Sequence, residues 1–296
     1  MKRGLITWDP SEIPPEVFER RVDGVRRILM EREVPALVVY SDMWRSNQAR
    51  FFSNFMPYFN RALLILSRDM PPILLCGLSP RVYGWIRSVT TIQDVRPAGN
   101  YAKPLFEIAG ERNWTRLGAL DLDRFPYDIH QALHGGQLDL VNVESETVFL
   151  PAGNETEQAM RRKAAVLAAQ ILEDEIVKGV GLTDYLFVGN LERRFRRSGA
   201  EDLIVLVTNG RAVPALPAGA VLEENFSVSV ALEYRGHWVR LSRYHGAPEP
   251  KAPVPAAYPE RLDGAYPYES GRGKIQADHV EFNHKGKRLF YGNTMV

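Results

Sequence analysis

A single cysteine, Cys76, in 296 residues rules out an internal disulfide framework and suits a reducing compartment. It closes the apolar run Ile73–Cys76, where a small buried packing residue is the expectation and a reactive thiol is not. Charge of one sign is missing as well. With 37 Lys and Arg against 36 Asp and Glu, nothing global draws the chain to nucleic acid or an anionic membrane. No stretch approaches the roughly 18 apolar residues a bilayer span requires. The opening residues pass from Met1 to Asp9, Glu12 and Pro14 with no apolar core for a signal peptide. A cytoplasmic protein with no nucleic-acid or membrane partner is the expectation. The Asn-X-Ser/Thr matches at Asn113, Asn154 and Asn225 are then chance matches.

What is present points to packed cores. The hydrophobic share is 45%, and 296 residues suffice for two ordinary domains. Phe18, Val22, Val25 and Leu29 recur at helical spacing after Pro14-Pro15, and Pro35 closes that helix. Short apolar runs follow at 36–40, 61–66 and 73–76, with a helical pattern near 82–86. Strands at 91–95, 117–122 and 138–143 and a helix at 127–133 complete an α/β domain with a mixed sheet, residues 1–150.

The second domain, 151–296, opens on a helix with Asn154 and Glu157 in a capping-box pattern. Met160, Ala164, Leu167 and Ile171 form its apolar face, and Gly179 is the expected stop. A helix from Thr183 to Gly199 carries Phe187, Leu191 and Phe195 on one face. Its Arg193–Arg197 tail reads as a solvated helix end, because cations near a C-terminus are favoured by the dipole. Strands are expected at 203–208, 226–234 and 237–244, then a Pro-rich linker near 245–268 and a terminal hairpin at 279–291.

This ordered series resembles the creatinase/aminopeptidase P/prolidase family, whose members join a creatinase-type N-terminal domain to a "pita-bread" catalytic domain. The resemblance rests on the α/β domain, the helix opening at Asn154–Arg162, the second helix, and a strand pair carrying Glu233–Gly236. It covers roughly 15–245 and the terminal hairpin. The segments Phe51–Phe55 and Tyr58–Arg61 are most similar to creatinase itself. By that resemblance Arg61 matches an arginine that binds a substrate carboxylate across a dimer interface. The fold it implies is α/β (α+β): a creatinase-type N-terminal domain followed by a shortened pita-bread domain.

The departures from the family pattern carry the functional reading. The family's peptidases place two metal-binding aspartates about eleven residues apart on the strand pair, and here Ser229 and Arg240 stand in those positions. A neutral hydroxyl is a poor ligand for a hard or borderline cation, and a guanidinium puts permanent positive charge where the metal would be. Creatinase works without metal through a histidine in the preceding segment, but residues 209–217 contain none. Between Tyr244 and His279 there are too few residues for the family's second helix pair, and Ala277 falls where a glutamate is usual. Neither a metal nor another cofactor is expected.

The remaining candidates are modest. His237 is a weak acid–base candidate beside the strand pair, and an exposed turn histidine is the blander reading. His130 and His134 have zinc-like i, i+4 spacing but no intervening glutamate or clear third ligand. Ser270 lacks the strand–turn–helix setting of a nucleophile elbow, and neither its Gly-rich loop nor Lys178–Gly181 fits a phosphate or dinucleotide fingerprint. Arg61, Phe59, Trp238, Arg240 and Arg243 could line a pocket for a small carboxylate, if a dimer brings them together. Alternatively, Arg240 pairs with Glu233 and fills the former metal seat.

Three functions stay open at this point. The first is a metal-free subunit in a homo- or hetero-oligomer, with a full-length pita-bread relative as partner and one apolar sheet face left uncovered. The others are a stand-alone metal-independent hydrolase of a small carboxylated C–N substrate and a small-ligand-binding module.

Overall fold

The computed structural model describes residues 7–43, 45–57, 60–135, 138–144, 148, 155–209, 215–246, 280–284 and 287–291. The chain divides into two compact units, the first ending at Thr156 and the second beginning at Glu157.

The first unit is built on a six-stranded mixed sheet. Its strands are β1 (Ala36–Asp42), β2 (Arg61–Ser67), β3 (Ile73–Cys76), β4 (Asp94–Pro97), β5 (Arg116–Leu120) and β6 (Asp139–Val143), in the order β4-β3-β2-β1-β5-β6. β1, β2 and β3 pair antiparallel, while β3–β4, β1–β5 and β5–β6 are parallel. Its helices are α1 (Pro15–Glu31), α2 (Asn47–Ser53), α3 (Tyr83–Val89), α4 (Ala102–Glu111) and α5 (Tyr127–His134). Successive strand residues face opposite ways, which splits the core into two clusters. Leu37, Val39, Leu64 and Leu74 pack with Val22, Val25 and Leu29 of α1 and with Phe51 and Phe52 of α2. Val38, Tyr40, Leu63 and Leu75 pack with Leu105 and Ile108 of α4 and Ile129 and Leu133 of α5. Strands covered on both faces read as continuous apolar runs, which is why β1, β2 and β3 were legible. Cys76 is fully buried, and burial pushes its thiol up, away from thiolate reactivity.

The sequence misplaces the strand expected at 91–95, which forms at Asp94–Pro97, and it gives no sign of α2 or α4. α2 is only seven residues long. α4 follows Gly99-Asn100 and has Pro104 in its first turn, where a missing N–H costs no helical bond.

α6 (Glu155–Ile176) begins at the boundary and carries the chain into the second unit, followed by α7 (Asp184–Arg197). The capping role expected of Asn154 lies outside the described residues. On α6, Met160, Ala164 and Ile171 are buried as expected, but so are Ala165, Ala168, Ala169 and Leu172. That makes a wider contact face than one stripe. α7 starts on Thr183, whose hydroxyl accepts from the Leu186 N–H, and stops before Gly199 at φ +96°. Gly179 is not a left-handed cap; a Cβ there would lie 2.6 Å from Phe226 Cζ, so close ring packing is what requires glycine.

A three-stranded antiparallel sheet follows, ordered β7 (Asp202–Asn209), β8 (Phe226–Tyr234), β9 (His237–His245). β10 (Val280–His284) and β11 (Lys287–Tyr291) form the terminal hairpin. The linker expected near 245–268 falls almost wholly outside the described residues.

Candidate functional site

The β8–β9 hairpin turns on Arg235 and Gly236, both at positive φ (51° and 84°), the two-residue turn that matches strand twist. That turn fixes the register. Ser229 lies opposite Ser242, Ala231 opposite Arg240, and Glu233 opposite Trp238. Alternation puts Ser227, Ser229, Ala231 and Glu233 of β8 on the same face as Trp238, Arg240, Ser242 and Tyr244 of β9. β7 adds Ile204 and Leu206, which cluster there with Ala231 and Trp238.

On this face Ser229 and Ser242 join their hydroxyls in a 2.7 Å hydrogen bond. Arg240 is the diagonal neighbour of Ser229, so the two positions that the family resemblance assigns to metal ligands do lie side by side. Their chemistry is a hydroxyl and a guanidinium, with the Ser242 hydroxyl bonded to the first. Buried Glu233, the alternative partner for Arg240, occupies the other diagonal on the same face. Ser242 was passed over in the sequence, although counting outward from the turn would have paired it with Ser229. Among the described residues no three His, Cys, Asp or Glu side chains come together.

Several expectations need correction. His237 is not an exposed turn histidine but a fully buried one, opposite Tyr234 at the first rung of the hairpin. It also faces away from Ser229 and Arg240, as does Arg243, because an odd offset along β9 reverses the side chain. Neither belongs with Trp238 and Arg240. Nor do the described residues show the uncovered apolar sheet face: every residue of β8 is buried. Within this sheet, partial exposure is limited to Thr208 and Asn209 at the end of β7 and to Arg240 and residues 242–245 of β9. Phe59 and Ala277 lie outside the described residues, as does Ser270.

Arg61 sits in the first unit at the start of β2, opposite Asp42 of β1. Its guanidinium is engaged by Asp128 of α5 at 2.5 Å. That contact holds the Asp128 carboxyl below its ordinary value, against a smaller opposing effect of burial. The Tyr101 hydroxyl donates to the Arg61 carbonyl at 2.5 Å, and burial pushes this phenol up to about 12.

No family model and no curated protein matches the chain. Solved structures do. The X-Pro aminopeptidase from Thermotoga maritima MSB8 superposes with a TM-score of 0.64 at 14% identity, over 75% of this chain and 64% of its own. The Xaa-Pro dipeptidase from Bacillus anthracis gives 0.63 at 17% identity, over 79% and 66%. The prolidase from Pyrococcus horikoshii OT3 gives 0.63 at 14% identity, over 78% and 66%. The fold is the pita-bread fold of these peptidases. The resemblance read from the sequence therefore holds at the level of fold, in a chain that spans about two thirds of the length of these pita-bread structures.

The basic tail of α7 is settled locally. Arg194 pairs with Asp174 and Glu175, Arg196 with Asp202 at 3.4 Å, and Arg193 with the Asn190 side chain at 3.2 Å. No helix among the described residues is long and apolar enough to cross a membrane.

Proposed function

We propose that this chain is a metal-independent, degenerate pita-bread protein that serves as the non-catalytic member of an assembly with a full-length relative. The observation that carries the reading is the hydrogen-bonded Ser229–Ser242 pair with Arg240 beside it. A pair of aspartates would bring two negative charges to bind and bridge cations, whereas Ser229 and Ser242 offer neutral oxygens and Arg240 a fixed positive charge, and the carboxylate of this face, Glu233, lies on the far diagonal of Arg240. Reversing the charge of a binding site removes the Coulombic attraction and adds repulsion.

Pull-down of the full chain from its native cell should bring a larger pita-bread protein with it. Recovery of the chain alone, as a monomer, contradicts the reading.

A stand-alone hydrolase would need Arg61 as its carboxylate anchor, and Asp128 already engages that guanidinium. Arg61→Ala separates the two: it should leave assembly intact, whereas loss of turnover on a small carboxylated C–N substrate would favour the hydrolase.

A further inference from the structure

We propose that His130 and His134 of α5 form a binding site for a divalent transition-metal ion of the Cu2+, Ni2+ and Zn2+ class. The residues are four apart on the helix and so share a face one turn apart. Their imidazole rings approach to 4.3 Å between centroids, tilted at 51°. Two nitrogens held at about 2.0–2.1 Å on adjacent positions of one ion lie ~3 Å apart, which these rings reach by side-chain rotation.

Neither histidine is a core residue: His130 is half-buried and His134 exposed. The core-facing residues of α5 are Ile129 and Leu133, at 5% and 0% exposure. A cation in the last turn is favoured by the helix dipole, which accounts for His134 but not for His130 a full turn earlier. Among the described residues neither ring has a hydrogen bond or a carboxylate partner; their recorded contact is with each other.

The surroundings define the ion. Asp128, the acidic residue of this helix, is taken by Arg61, and Gln131 donates to the Tyr127 hydroxyl at 2.5 Å. Among the described residues of α5 the two imidazoles are therefore the donor set, with water completing the sphere. Such a set prefers Cu2+, then Ni2+ and Zn2+, and has little affinity for the oxygen-seeking Mg2+ and Ca2+. The site stands apart from the proposed function: it concerns α5 and asks nothing of Ser229, Arg240 or a partner chain.

Equilibrium dialysis of the chelator-stripped full chain against Cu2+ and Ni2+ is the test, compared with His130→Ala/His134→Ala and the milder His130→Gln/His134→Gln. One equivalent of Ni2+ should bind the unaltered chain, with no competition from excess Mg2+. Either double variant should keep its circular dichroism and weaken binding by about tenfold or more, since losing a ligand costs at least what losing an outer-shell partner does. Undiminished binding in both double variants overturns the site, as does displacement of Ni2+ by Mg2+.

Discussion

At the scale of single residues, the buried carboxylate of Asp184 ties two segments of the second unit together. Burial pushes its carboxyl up, but the N–H groups of Ala218 and Gly219, with those of Tyr185 and Ala220, more than offset that and hold it below its ordinary value. The Ala218 and Gly219 bonds are 2.9 and 2.7 Å long and tie the segment before β8 to the start of α7. Asp184→Ala strands these donors and should cost about 1–3 kcal/mol in urea denaturation. The sign of the pH dependence follows. A carboxyl lowered by folding adds stability that is complete above its unfolded value and is lost as the pH falls through the folded one. The unaltered chain should thus lose stability below about pH 4 more steeply than Asp184→Ala. Gly179 makes a second test. Alanine there meets Phe226 at 2.6 Å and Phe187 at 3.1 Å, and overpacking of that kind should lower stability by about 1–3 kcal/mol, read as a drop in Tm. The Arg61–Asp128 pair should behave differently. Both side chains are exposed, at 42% and 63%, so Asp128→Asn should change stability by less than about 1 kcal/mol.

At the scale of elements, legibility tracked how many constraints each segment satisfied alone. α7 announced both of its ends, Thr183 by a capping hydroxyl and Gly199 by a left-handed stop. Thr183→Ala should cost about 1 kcal/mol in thermal unfolding, and Thr183→Ser should restore most of it. β8 and β9 were read within a residue, since nine-residue strands joined by a two-residue turn leave little freedom in register. What failed was orientation. His237 and Arg243 were near the candidate site in the sequence, but a strand reverses its side chains at every step, and only the hairpin register decides which face each takes. α2 and α4 stayed hidden because their helical form depends on packing against a sheet built from distant segments: Phe51 and Phe52 meet β1 and β2, and Leu105 and Ile108 meet the opposite face.

At the scale of the whole molecule, the proposed function separates fold from chemistry. Identity of 14–17% to the pita-bread structures is low, yet backbone geometry is retained over three quarters of the chain or more. A fold persists when apolar positions keep their periodicity, which many sequences satisfy, whereas a metal seat depends on a few carboxylates. In the proposed reading, the Ser229 and Ser242 hydroxyls and Arg240 stand on the face of β8 and β9 where the family resemblance places the metal ligands. The α5 histidine pair must be removed before that face can be judged, because both could contribute to a metal count. Elemental analysis of the His130→Ala/His134→Ala variant, purified after exposure to Mn2+, Co2+ and Zn2+, is the direct test. The account predicts no stoichiometric metal. One or two tightly held equivalents per chain, lost on further substitution at β8 or β9, would contradict it.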